Sequence, residues 1–393
     1  MPKASGPCEP MIPLAYIFRN LLRRPLQTLQ LLTGSGLVVL LIMLAAATNQ
    51  AMENTLINSG DPQNVILLGA GSEESVERSE VASGVADIIS SAVTGIDHFI
   101  GEPAVSPEVH YNGMIGLPNG DEAQALIRGV RHQSTWVYPK LRILEGHFPR
   151  SGEVMVGVLA HQKLGMRPDQ LTIGKELRFN DQSFTVSGIF VANGTVMEAE
   201  VWMPLQDLMT ATQRDNLSCV VVRTLEVNGF SDVEIFTKTR LDLELVAIQE
   251  SEYYNSLSAF YRPIRWMSWV CAVLLAVGAI LGGLNSLHAA FSARIREFAA
   301  MQAIGFSRGS LLCSLIQEST IYCLMGSIVA FSITTFWLQG ISFPFSIGVF
   351  VLNFDFAVFQ AGLFTCLGLG LIGGLPPGWK CLRPTLPQTL RAS

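Results

Sequence analysis

Residues 294–318 read RIREFAAMQAIGFSRGSLLCSLIQE, with four charges in the first fifteen positions. Before them, residues 266–293 carry no Asp, Glu, Lys or Arg. After them, Glu318 is the single charge in the apolar segment 311–338. A run of about 20 apolar residues is long enough to cross a bilayer, and charge is costly at its centre. The charged island is therefore expected to be a turn at a membrane surface between two spans. Gly305 is suited to stop a helix and Ser307 to cap the next one. Arg294, Arg296 and Arg308 outnumber Glu297 in the turn, which places it in the cytoplasm and fixes the orientation of the remaining chain.

Composition supports a membrane protein: of 393 residues, 49% are hydrophobic and 15% charged. Charge is divided unevenly. Residues 53–261 hold 28 of the 32 acids but 14 of the 26 bases, so an acidic body is joined to a basic remainder. That balance argues against nucleic acid as a partner, because phosphate binding needs clustered positive charge. Among the cysteines, Cys8, Cys219, Cys271, Cys313, Cys323, Cys366 and Cys381, only Cys219 lies in the acidic body, so no internal disulfide is expected there. No cysteine has zinc-site spacing and the six histidines are scattered, so neither a metal site nor a catalytic residue is expected.

The chain divides along its length. Residues 1–28 form a cytoplasmic N-terminus in which Leu14, Ile17, Phe18, Leu21 and Leu22 share one helical face. With Arg19, Arg23 and Arg24 alongside, this segment reads as an amphipathic helix on the membrane lipids, or more simply as a basic flank. A first span occupies 29–52; its charge-free run is too long for a cleaved signal peptide. Residues 53–261 form an extracytoplasmic domain. Val154–Val158, Phe184–Val191, Val201–Met203 and Cys219–Val222 are short β-branched or aromatic runs that predict strands. Val76–Thr94 is expected to be helical or mobile, and Glu198 with Glu200 to belong to a solvated acidic face. Leu241, Leu245, Ile248 and Glu252 have helical spacing, which predicts a stalk over Arg240–Tyr261, with a bend at Pro263.

Span two is expected over 262–293, a cytoplasmic loop over 294–310, span three over 311–338, a short outer loop over 339–355 and span four over 356–376. Pro376, Pro377 and Gly378 are expected to end that last helix, and 377–393 forms a basic tail containing Lys380, Arg383 and Arg391. Glu318 falls near the interface, either as a half-solvated acid paired with Arg294 or Arg308, or as a coupling element. The expected fold is thus an α-helical membrane protein with four transmembrane helices, an α+β extracytoplasmic domain inserted between helices 1 and 2, and both termini cytoplasmic.

This arrangement resembles the FtsX/MacB-type permeases of ABC transporters over nearly the whole chain. The most specific block is LNSLHAAFSARIREFAAMQAIGFSRGSLLCSLIQEST, with Asn285, Arg294, Arg296, Glu297, Ala303, Gly305, Ser307 and Glu318 at matching positions. FRNLLRRPLQTLQLLTG is similar to the family's amphipathic first helix, and the tail with its Leu390-Arg391 pair to its ending. LRILEGHFPRSGEVMVGVLAHQKLGM and LTIGKELRFNDQSFTVSGIF resemble the MacB-type periplasmic core domain. His288 and Gln302 depart from the usual family residues.

The resemblance implies a non-catalytic permease of the bacterial inner membrane, without the fused ATPase domain of MacB itself. The sequence offers Gly174-Lys175-Glu176 but no phosphate-binding G-x-x-x-x-G-K-[S/T] loop. ATP and Mg are therefore expected in a separate cytoplasmic ABC ATPase subunit, with no cofactor in this chain. A homodimer or heterodimer of permeases and a periplasmic adaptor are further implied partners. Arg294, Arg296, Glu297, Gly305, Ser307, Arg308 and Glu318 would form the ATPase-coupling interface, and mechanical transmission to the outer domain would export or extract a substrate. The alternative implied by the same family is an FtsX-like transmitter that regulates a cell-wall hydrolase.

Overall fold

The computed structural model describes residues 25–118 and 120–382. The expected amphipathic helix with Arg19, Arg23 and Arg24, and the tail residues Arg383 and Arg391, lie outside them. In chain order the first elements are α1 (Pro25–Ser59), β1 (Asn64–Gly69), α2 (Val85–Ala92), β2 (Val105–Gly116), β3 (Glu122–Val130), β4 (Arg142–Gly146), β5 (Glu153–Gly157), β6 (Glu176–Phe179) and β7 (Gln182–Val191). There follow β8 (Val201–Pro204), α3 (Leu205–Thr212), β9 (Cys219–Arg223), α4 (Phe230–Thr239), β10 (Leu245–Gln249), α5 (Glu250–Phe260), α6 (Arg262–Ser292), α7 (Ile295–Ile304), α8 (Arg308–Ile333), β11 (Ser342–Phe345), β12 (Gly348–Val351) and α9 (Phe356–Leu382). They form two compact units. One holds the described residues up to Gln50 with Pro263–Ile341 and the chain from Leu352; the other holds Ala51–Arg262 with Ser342–Val351.

In the helical unit, four helices are long and apolar enough to cross a membrane: Thr28–Ser59, Arg262–Ser292, Arg308–Leu338 and Phe356–Cys381. Apolar helices in lipid gain little from hydrophobic burial against each other, so they associate through close packing at small residues. A Cβ on Gly36 would lie 2.9 Å from the Gly326 carbonyl oxygen, so α1 and α8 meet backbone to backbone. Gly370 against Thr320 and Gly374 against Ile316 bring α9 equally close to α8.

Two helix ends differ from expectation. The first helix continues past residue 52 to Ser59, because Leu56 of its last two turns is buried in the second unit beside Tyr254 and Phe350. The fourth does not stop at Pro376 but runs through Pro376 and Pro377 to Leu382. Proline already has a helical φ; its cost is a missing N–H and crowding of the carbonyl four residues back. Here Gly373 and Gly374 precede the prolines and pack on Ser319 and Ile316, which holds the helix in place.

The second unit is built on one ten-stranded mixed sheet, in the order β10-β1-β9-β2-β3-β8-β5-β7-β4, with β6 pairing β2 and β7. The strands expected at 154–158, 184–191, 201–203 and 219–222 are all present as β5, β7, β8 and β9. Residues 76–94 contain a single turn, Val76–Arg78, and helix α2. The stalk does not begin as a helix. After a short 3-10 turn at Leu241–Leu243, Leu245–Gln249 is a strand that pairs antiparallel with Val65–Gly69, and α-helix starts only at Glu250. Leu245 and Ala247 face one core while Ile248 faces the other, so the period of two overrides the helical spacing. The outer connection 339–355 likewise contains the β11–β12 hairpin.

Side chains alternate across this sheet. Val65, Leu67, Val201, Met203, Val220 and Val222 belong to one core, covered by α2, α3 and α4; Ile66, Leu68, Trp202, Cys219 and Val221 belong to the other. Both faces are therefore covered over most of their area, and a charge placed on the covered part must find its partner inside.

Candidate functional site

The turn singled out by the sequence is itself mostly helical. Arg294 is the N-cap of α7, which ends at Gly305 in the left-handed region (φ 113°), where a side chain would be strained. The Ser307 hydroxyl then accepts a hydrogen bond from the Ser310 backbone N–H at 3.1 Å, opening α8. Both punctuation marks act as their residue types predict.

The charges of this segment divide into two groups. Arg294 and Glu318 are buried, with side chains only 5% exposed, and Arg294 Nη1 lies 3.1 and 2.9 Å from the two carboxylate oxygens. Tyr322 donates its hydroxyl proton to Glu318 Oε1 at 3.4 Å, and the Arg294 guanidinium lies 5.2 Å from the centre of the Phe298 ring. Glu318 is thus not the half-solvated acid expected from its position. The fold-back of α7 carries Arg294 against the third turn of α8, where Phe291, Phe298 and Leu315 belong to one buried apolar cluster. Arg296, Glu297, Gly305 and Arg308 are exposed, and Ser307 is half-buried. Glu297 spans the two groups, its carboxylate 3.4 Å from Arg294 Nε.

Three segments that run directly into the apolar helices are built into the sheet unit. Ala51, Met52 and Leu56 of α1, Tyr254 of α5 with Tyr261, and Phe350 of β12 form one buried cluster with Val196. Lys163 donates to the carbonyls of Phe345 and Ser346 in the β11–β12 hairpin. Val196 N–H donates to the Ser59 hydroxyl at 2.9 Å. These contacts fasten all three segments to the sheet unit.

Sequence reasoning missed a second group, a charged network on the Trp202 face of the sheet. Arg128 on β3 grips Glu200 with Nε and Nη2, both at 2.7 Å, and reaches Glu108 Oε2 with Nη1 at 3.0 Å. Trp202 Nε1–H donates to Glu200 at 2.8 Å, and Ser106 to Glu108 at 2.8 Å. Glu198 and Glu200 do not form a solvated face: both are buried, and Glu198 accepts the Ala192 N–H at 2.9 Å. Burial opposes the charge on Glu108, but Arg128 and the His110 hydrogen bond outweigh it and hold the carboxyl below its ordinary value. Arg128 is held well above its own, burial being overcome by Glu200 and Glu108. Glu250, by contrast, is pushed up to about 7 by burial, against hydrogen bonds from the Asn64 side chain and the Asp61 backbone. The cross-strand registers Cys219–Glu108, His110–Arg128 and Trp202–Arg128 assemble the group, and no local motif signals it.

Comparison with known proteins gives two matches to family models: a MacB-like periplasmic core domain over residues 28–233, more than half the chain, and an FtsX-like permease C-terminal region over residues 269–386. The chain is 22% identical to the macrolide export ATP-binding/permease protein MacB of Bdellovibrio bacteriovorus. That alignment covers 95% of this chain and 60% of the relative, so the chain spans about 60% of the relative's length. Among solved structures, the periplasmic region of MacB from Actinobacillus actinomycetemcomitans aligns at 13% identity and TM-score 0.40, covering 52% of this chain and 97% of that one. The extracellular domain of the noncanonic ABC-type transporter YknZ from Gram-positive bacteria aligns at 14% identity and TM-score 0.37, covering 47% and 99%.

Proposed function

Because this chain belongs to the FtsX/MacB-type permeases, we propose that it is the subunit through which a separate cytoplasmic ABC ATPase moves an extracytoplasmic domain to export or extract a substrate. The carrying observation is the buried Arg294–Glu318 pair. It fastens the short helix α7 to the third span, so a push on the exposed Arg296, Glu297 and Arg308 is delivered to α8 rather than absorbed by a loose loop. Two permeases acting as a dimer, with both termini and the α7 turn in the cytoplasm, would place that push where an ATPase can apply it. At the other end, segments 51–59, 250–262 and 342–351 belong to the sheet unit and carry the motion into it. ATP and Mg would be bound by the partner, and a periplasmic adaptor would receive the substrate.

The test is ATP turnover by the permease–ATPase complex in proteoliposomes. Glu297→Lys reverses a charge on the exposed face, and Gly305→Pro places a ring where φ is 113°. Each variant is expected to insert normally and to lose the change in turnover that the intact permease causes. Unaltered coupling in both variants would sink the proposal.

A further inference from the structure

We infer that Glu108, His110 and Cys219 form a binding site for a divalent zinc-class metal ion inside the sheet unit. Glu108 and His110 stand two apart on β2 and so point to the same face. Cys219 is the cross-strand partner of Glu108 on β9. Their ligand atoms all lie within 4.8 Å of one another. His110 Nε2 is 3.0 Å from Glu108 Oε2 and 4.0 Å from Cys219 Sγ. The corresponding edges of a tetrahedral zinc site are about 3.3–3.6 Å, given metal–ligand distances of about 2.0–2.3 Å. Shifts of a few tenths of an ångström would bring the two His110 edges to these lengths, and the Glu108–Cys219 edge, within 4.8 Å, would close by about 1 Å at most.

The surroundings suit such an ion. Metal-bound carboxylates are held by outer hydrogen bonds, and Glu108 has two, from Ser106 on Oε1 and from Arg128 on Oε2. The three groups line a cavity of about 90 Å³, bounded also by Glu250, Tyr253 and Tyr254, with room for about three waters and hence for a fourth ligand. Charge also balances: the carboxylates of Glu108 and Glu200 and the Cys219 thiolate would offset Arg128 and a divalent cation. Loading breaks the Cys219 S–H bond and the hydrogen bond from His110 Nε2 to Glu108; the imidazole proton moves to Nδ1, metal–sulfur and metal–nitrogen bonds form, and the thiol proton is released to water. A set of one sulfur, one imidazole nitrogen and one carboxylate oxygen favours zinc over magnesium or calcium.

The experiment uses the full chain in detergent, stripped with chelator and titrated with Zn²⁺ against a chromophoric competitor, then with Co²⁺ as a spectroscopic probe. The expected result is one Zn²⁺ per chain and a thiolate-to-cobalt charge-transfer band. Cys219→Ser, which exchanges one atom and whose folding is checked by thermal unfolding, should abolish the band and weaken Zn²⁺ binding by more than about 100-fold, beyond the loss of an outer partner. A variant that keeps Cys219 and replaces the six remaining cysteines by serine should retain both. The proposal is overturned if the intact chain shows no cobalt–thiolate band, or if the band persists in Cys219→Ser. It is also overturned if the band disappears from the variant that keeps Cys219 alone. In those cases the three groups are a hydrogen-bonded chain in a polar core.

Discussion

The two buried charge clusters of this protein are built in opposite ways. In the helical unit, Arg294 meets the buried Glu318 24 residues away and the exposed Glu297 beside it, and Arg296 and Arg308 of the same turn are exposed. In the sheet unit, Arg128 meets Glu108 and Glu200, 20 and 72 residues away, and the surrounding groups are buried as well. The buried pair of the helical unit sits beside exposed charges that a partner could reach. The network of Arg128, Glu108 and Glu200 ties neighbouring strands of one sheet together and borders a cavity. The same ionic chemistry thus ties two helices in one unit and neighbouring strands in the other.

That contrast can be broken at its strongest point first. Arg128→Ala would leave Glu108 and Glu200 buried together without a counter-ion. Removing one partner of a single buried pair typically costs about 3–5 kcal/mol, and two orphaned carboxylates should exceed that. Loss of the folded sheet unit, read as collapse of protease resistance, is the expected outcome. A stable Arg128→Ala protein would mean that the network is not what holds the strands.

Next in size is Arg294→Ala, which removes the cationic partner of Glu318 and is expected to cost about 3 kcal/mol, the low end for one broken buried pair, because the Tyr322 hydrogen bond remains. Thermal unfolding in detergent should show the loss. The exchanged pair, Arg294→Glu with Glu318→Arg, should recover part of it, and no recovery would deny the pair a direct interaction.

The smallest effect sharpens the comparison through pH. Burial raises the Glu250 pKa from 4.5 to about 7, so the folded state binds a proton that the unfolded state has already released. A raised carboxyl adds no penalty below about pH 4.5. Its cost grows as pH rises to about 7 and levels off above, at about 3 kcal/mol as an upper bound. Glu250→Gln should remove that slope between pH 4.5 and 7 from urea unfolding curves. An unchanged slope would place the titration elsewhere.

Legibility followed distance along the chain. The Arg294–Glu318 island, the Gly305 stop and the Ser307 cap were readable because each depends on residues within a few positions. The four strands read from β-branched runs were found for the same reason. Leu245–Gln249 was misread because five residues fit a helical and a strand period alike, and only pairing with β1 decides between them. The run of α9 through Pro376 and Pro377 was misread because the sequence shows the prolines but not the packing of Gly373 and Gly374 that holds the helix.

By itself the sequence determined the membrane class, the position of the charged turn and the presence of an acidic mixed α/β body, since composition, span length and local periodicity act without knowledge of contacts. Only the tertiary structure decided which acids are buried, that Glu198 and Glu200 face inward, and that Glu108, His110, Arg128 and Cys219 share one patch. In a sheet, neighbours are set by strand order and register, and those join residues as far apart in the chain as Val65 and Gln249.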